Sequence, residues 1–107
     1  MDAHGCAPAA LQSRDILAGI FDRIVRDLKL RPGGDALWRV FPEGGGVTGL
    51  LLLMESHLAC HTFPEPGLAG FNLCCCRPRE AWPWEDRLGE VLEASRVLGR
   101  SCPREEA

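Results

Sequence analysis

Five aliphatic side chains in a row, Leu50 to Met54, run without a break into Glu55-Ser56-His57. Glycines Gly44-Gly45-Gly46 precede the run, and Phe63-Pro64-Glu65-Pro66-Gly67 forces a turn after it. Between these breaks the chain reads as a strand, Val47 to Glu55, apolar enough in its middle to be buried on both faces. His57 to Thr62 continues extended, and Leu68 to Cys76 returns as a partner strand. A five-residue run falls far short of the 18 or so apolar residues that a membrane span requires.

Helical periodicity flanks this β-rich centre. Leu17, Ile20, Phe21, Ile24 and Leu28 recur at helix spacing, with Arg14, Asp22, Arg23, Arg26 and Lys29 between them. The pattern predicts an amphipathic helix from Ser13 to Leu30, with Ser13 as N-cap and Arg31-Pro32-Gly33-Gly34 as its stop. Ala36 to Phe41 reads as a short strand. Pro83 suits the first position of a second helix, Trp84 to about Arg96, with Leu88, Val91 and Leu92 on one side. Pro103 to Ala107 looks like a frayed tail. There is no internal repeat, low-complexity segment or domain boundary, so residues 1–107 read as one domain. The order predicts an α+β two-layer sandwich: an antiparallel sheet with two helices on one face, and one further strand at each end. The sheet's other face still needs cover, which a second copy of so small a chain can provide.

Composition narrows the function classes. At 46% hydrophobic and 25% charged, the 107 residues suit a folded domain, and a net charge of −3 points to neither nucleic acid nor an acidic membrane. The opening MDAHGCAPAA lacks a basic region followed by an apolar stretch, so no secretory signal is expected and a cytoplasmic setting is the default. In that setting Cys6, Cys60, Cys74, Cys75, Cys76 and Cys102 read as thiols rather than a disulfide framework. His57 and His61 have a histidine spacing seen in zinc sites, but no cysteine pair completes one, and no metal is expected. Lys29 is the one lysine beside eleven arginines. Chemistry that needs an amine nucleophile must therefore find it elsewhere or use an electrophile instead.

Ionisable groups at the end of an apolar strand are costly unless paired, so the cluster Glu55, Ser56, His57 and His61 asks for a reason. A strand simply meeting solvent at Glu55 is one answer. A Ser/His/acid hydrolase is another, although no Gly-x-Ser-x-Gly elbow surrounds Ser56. A Cys/His nucleophile pair from Cys76 and His61 is a third. Residue types alone leave the three open.

A longer pattern does not. GGVTGLLLLM, ESHLACHTFPEPG and LAGFNLCCC together resemble the prokaryotic S-adenosylmethionine decarboxylase proenzyme family, with its GVSG-strand-ESH-x-x-x-HT-aromatic-PE-x-G motif and a cysteine closing the next strand. The match runs from about Phe41 to Cys76, with no gap from ESH to the cysteine, and a weaker one reaches back to Asp2–Cys6. The resemblance implies a self-processing, pyruvoyl-dependent carboxy-lyase. Ser56 matches the pyruvoyl precursor. Its hydroxyl would attack the Glu55 carbonyl, and the chain would part into a β chain, 1–55, and an α chain, 56–107. The pyruvoyl ketone would form a Schiff base with the substrate's own amine and act as electron sink, which suits a chain with almost no lysine. His61 matches the histidine that assists processing, Cys76 the cysteine that returns a proton to the α-carbon, and Thr48 a processing hydroxyl that is usually serine. Phe41, Phe63 and Glu65 match substrate-facing positions; His57 receives no role.

The family further implies homodimers of processed αβ protomers, with sites near the dimer interface, and a place in spermidine synthesis. This chain departs from the pattern in its short N-terminus, in Asn72 and Arg77, and in a clipped C-terminal extension. Relatives with the same chemistry act on arginine or ornithine, for which Glu43 and Glu65 could supply a carboxylate. Phe41 and Phe63 suit an adenosyl group, and S-adenosylmethionine is the expected substrate. A homologue that never processes, and only binds or regulates, is the remaining alternative.

Overall fold

The computed structural model describes residues 1–54, 56–75 and 82–99, with backbone alone at Cys75. The chain runs β1 (Asp2–His4), α1 (Pro8–Leu11), α2 (Arg14–Asp27), β2 (Leu37–Val40), β3 (Val47–Leu52), β4 (Ser56–Phe63), β5 (Leu68–Cys75), α3 (Trp84–Leu92) and β6 (Arg96–Leu98). The six strands form one antiparallel sheet in the order β2-β3-β4-β5-β1-β6.

The predicted first helix is present, and its cap is the expected one. The Ser13 hydroxyl accepts the Ile16 N–H at 3.2 Å, satisfying one of the orphan donors of the first turn. Leu17, Ile20, Phe21 and Ile24 all turn inward. They join Leu11 of α1, Leu88 and Leu92 of α3, and Val47, Leu51, Leu58, Cys60 and Phe71 of the sheet in one core. Trp38 of β2 completes it by lying across Gly49, with its ring 4.9 Å from that of Phe21. The result is the expected two-layer α+β arrangement, with a third, one-turn helix, α1, that periodicity does not announce in four residues.

Three expectations need correction. The strand from Val47 is not buried on both faces: Val47, Leu51 and Leu53 are buried, while Leu52 is 60% and Met54 68% exposed. Among the described residues the helices pack on one side of the sheet, so strict alternation governs even an all-leucine run. His57 to Thr62 does not continue that strand either. The chain reverses between Leu52 and Ser56, so β4 pairs antiparallel with β3, from Leu52↔His57 to Thr48↔His61. The last helix stops at Leu92, where Glu93 takes a left-handed conformation (φ 58°) and leads into β6. Val91 is consequently outside the core, 41% exposed. The expected tail, Pro103 to Ala107, lies outside the described residues. No helix among the described residues is long and apolar enough to cross a membrane.

Two glycines separate packing from propensity. A methyl group at Gly46 would overlap the backbone carbonyl of Thr62, whereas one at Gly19, in the middle of α2, would meet nothing within 4 Å. Gly46→Ala is therefore expected to lower the unfolding free energy by about 1–3 kcal/mol, the usual cost of overpacking. Gly19→Ala should raise it by up to about 1 kcal/mol. Urea denaturation of the two variants checks both signs.

Candidate active site

Alternation along β3, β4 and β5 sorts the candidate residues between the two faces of the sheet. Leu58, Cys60 and Thr62 point into the core, so His57, His61 and Phe63 project from the face without helices. Their cross-strand neighbours share that face: Leu52 and Cys74 beside His57, Leu50 and Asn72 beside Ala59, Thr48 and Gly70 beside His61. This open face is largely apolar, with Leu37 68%, Leu52 60% and Phe63 44% exposed.

Thr48 and His61 meet directly. They are register partners, and the Thr48 hydroxyl lies 2.5 Å from Nδ1 of His61. The imidazole also packs edge-on against Phe63, centroids 5.1 Å apart. Nδ1 is thus committed to the hydroxyl, and Nε2 is the ring nitrogen left to face a reactant. One position along the same face, Phe41 is tied to the β2–β3 turn by its N–H, which donates to the Gly46 carbonyl at 2.9 Å. The Arg39 guanidinium sits over the Phe41 ring at 5.6 Å. Glu65 is exposed in the turn that joins β4 to β5, a turn closed by the Gly67 N–H on the Pro64 carbonyl at 3.1 Å. Thr48, His61, Phe63, Phe41 and Glu65 therefore gather at one end of the β4–β5 hairpin.

Ser56 stands at the other end. It begins β4, half-buried, with Cys75 as its register partner. Backbone bonds hold the chain on both sides of the expected scission: the Met54 N–H donates to Arg31 at 2.8 Å, and the Ser56 carbonyl accepts the Leu53 N–H at 2.9 Å. Glu55 and Cys76 lie outside the described residues; Cys76 follows the residue paired with Ser56 by one peptide unit, about 3.8 Å of chain. From Ser56 to His61 are five residues of regular strand, roughly 16 Å at strand rise. Alternation also sends their side chains to opposite faces. One chain therefore brings together Ser56 with the β5 terminus, and Thr48 with His61, but not the two groups with each other.

Sequence reasoning overlooked two residues here. Arg39 is the register partner of Thr48, on the same face as the hydroxyl–imidazole pair. The signal was its place in the alternating strand Leu37–Val40, which could not be aligned with β3 before the register was known. Thr62 stands in the motif with no role that the resemblance implies; it is the one buried polar side chain among the described residues. No group of three or more His, Cys, Asp or Glu is placed to hold a metal among those residues.

Comparison with known proteins agrees with the motif. The family model described as S-adenosylmethionine decarboxylase matches residues 1–105. The S-adenosylmethionine decarboxylase proenzyme of Clostridium tetani is 29% identical over 109 residues, covering 96% of this chain and 81% of the relative. That of Acetivibrio thermocellus is 31% identical over 109 residues, covering 96% and 82%. The Caldicellulosiruptor saccharolyticus proenzyme is 29% identical over 108 residues, with the same two shares.

Two of the remaining thiols are set apart by burial. Cys60 points into the core, where loss of solvation pushes its pKa up to about 11 against the opposing bond from Gly49. Burial raises that of Cys6 as well. Both stay protonated at neutral pH and are poor nucleophiles. Iodoacetamide at pH 8 is expected to leave Cys6 and Cys60 unmodified in the folded chain and to label both after denaturation, as peptide mass mapping would report.

Proposed function

This chain belongs to the S-adenosylmethionine decarboxylase family, whose members are pyruvoyl-dependent carboxy-lyases, and from that premise we propose that it cleaves itself between Glu55 and Ser56 and decarboxylates S-adenosylmethionine. The observation that carries the reading is the Thr48–His61 pair, a hydroxyl and an imidazole in contact at the two positions where the family motif calls for them. The donor set suits a pyruvoyl group: a serine at a strand start between two anchored peptide units, a thiol-bearing β5 terminus across from it, and no lysine but Lys29.

Self-processing begins with Ser56. Its Oγ attacks the Glu55 carbonyl carbon, the peptide C–N bond breaks, and an ester joins the two halves. Loss of the Ser56 α-proton then expels the Glu55 carboxylate. Hydrolysis of the remaining enamine releases ammonia and leaves the ketone at residue 56. Proton transfers in the first two steps fall to His61 through Nε2, held in orientation by Thr48 at Nδ1. The pyruvoyl group would supply an electrophilic carbonyl for the substrate's α-amine and a sink for the electron pair released with CO2. Cys76 delivers the proton to the α-carbon, and Phe41 and Phe63 offer aromatic faces to the adenine. Decarboxylated S-adenosylmethionine is the aminopropyl donor of spermidine synthesis.

The distance between Ser56 and His61 along one chain favours a site completed by a second copy. A second copy would supply the His61 that one chain holds at the far end of β4, and contact between copies would also cover exposed Leu37, Leu52 and Phe63. The homodimer is thus part of the chemistry as well as cover for the sheet.

Ser56→Ala is expected to remain a single 107-residue chain on a denaturing gel, and the parent to give fragments of 55 and 52 residues. Cleavage of Ser56→Ala at the same bond would overturn the site. Cys76→Ala should process normally but release CO2 at least about a hundredfold more slowly, as loss of a positioned proton donor dictates. Release from S-adenosylmethionine, with none from arginine or ornithine, supports the substrate; the reverse order overturns it. An intact parent chain with no CO2 release from any of the three would make this a non-processing homologue.

A further inference from the structure

Thr62 is 4% exposed, and a buried hydroxyl is costly unless its hydrogen bonds are made. Both are made here. Its Oγ1 donates to the Leu11 carbonyl at 2.7 Å, at the C-terminal end of α1, and accepts the Val47 N–H at 2.8 Å. Leu11 would otherwise be one of the orphan carbonyls of a helix end.

The place of these bonds in the ladder gives them a second meaning. The β3–β4 register ends at Thr48↔His61. Val47 and Thr62 flank that last rung, and there the hydroxyl of one residue, rather than its carbonyl, receives the N–H of the other. Gly46 alone permits this, since any side chain there would overlap the Thr62 carbonyl. Thr62 thus holds the Gly46–Val47 peptide, one residue before Thr48, and its own peptide is the one that joins it to His61. The pair lies on one face of the strands and its anchor on the other, inside the core.

We infer that Thr62 is a positioning residue for the Thr48–His61 pair, holding the end of the ladder so that the hydroxyl stays on Nδ1. The inference rests on the proposed role of that pair in self-processing. Thr62→Val keeps the shape of the side chain and removes both bonds, leaving the Val47 N–H and Leu11 carbonyl unpaired. Thr62→Ser keeps both bonds.

The test is a double-mutant cycle on the rate at which the full chain converts to two fragments. Thr62→Val should slow conversion roughly tenfold to a hundredfold, the effect of a small displacement of a reacting group. Thr62→Ser should restore it. In a Thr48→Val background, adding Thr62→Val should cost little, because the contact that Thr62 protects is already gone. Additive losses, or a Thr62→Ser variant no faster than Thr62→Val, would reduce Thr62 to a structural suture and overturn the inference. A second readout is independent of cleavage. In the Ser56→Ala chain, the 15N shifts of the His61 imidazole should change on Thr62→Val in the same direction as on Thr48→Val. Unchanged shifts would overturn the inference even if the processing chemistry holds, and cleavage of Ser56→Ala would overturn the chemistry while leaving this arm interpretable. Should Thr62→Val fail to fold, Thr62→Cys, with a weaker donor, replaces it under the same criteria.

Discussion

Antiparallel pairing of β3, β4 and β5, with the described helices on one side, governs the rest of the molecule. Alternation is then compulsory: every second residue of the three strands enters the core, and every other one stands on an uncovered face. Val47, Leu51, Leu58, Cys60 and Thr62 secure the strands from within. The residues opposite to them in phase, Thr48, His57, His61 and Phe63, are left for chemistry or for contact with a partner. A slip of one residue would exchange the two sets, so the packing of the core and the placement of the imidazole are one constraint.

That constraint was only partly legible in the sequence. The α2 cap at Ser13, the strands around the Pro64–Gly67 turn and the inward row of α2 follow from local signals, and the structure has them. The uncovered face was not readable from Leu50–Met54, because an unbroken apolar run gives no sign of which residues lose their solvent. Nor was the reversal before Ser56, which no Gly or Pro marks. The end of α3 was missed because Glu93 adopts a left-handed conformation that glycine more often supplies. Thr48 and His61 were singled out through resemblance; that they touch depends on a β3–β4 register set by residues far apart in the chain.

The same register explains why a short strand can hold two functions apart. Ser56 begins β4 beside the end of β5, where the expected scission leaves a new chain start. His61, Phe63 and the Glu65 turn lie at the far end, with Arg39 and Phe41 beside them. Apolar side chains between the two ends, Leu50 and Leu52 among them, carry no reactive group and are exposed at 36% and 60%. A face of this kind is better suited to burial against another copy than to solvent. The end of β4 that carries His61 thus adjoins the surface on which two copies would meet.

Co-expression of Ser56→Ala and His61→Ala chains tests this division most directly. Each variant alone lacks one half of the proposed site in every copy and should stay intact. In mixed dimers, Ser56 of the His61→Ala chain meets His61 of the other chain, and cleavage of the His61→Ala chain alone is predicted on a denaturing gel or by mass. If the mixture remains as uncleaved as its parts, the site is not shared between copies and the central claim fails.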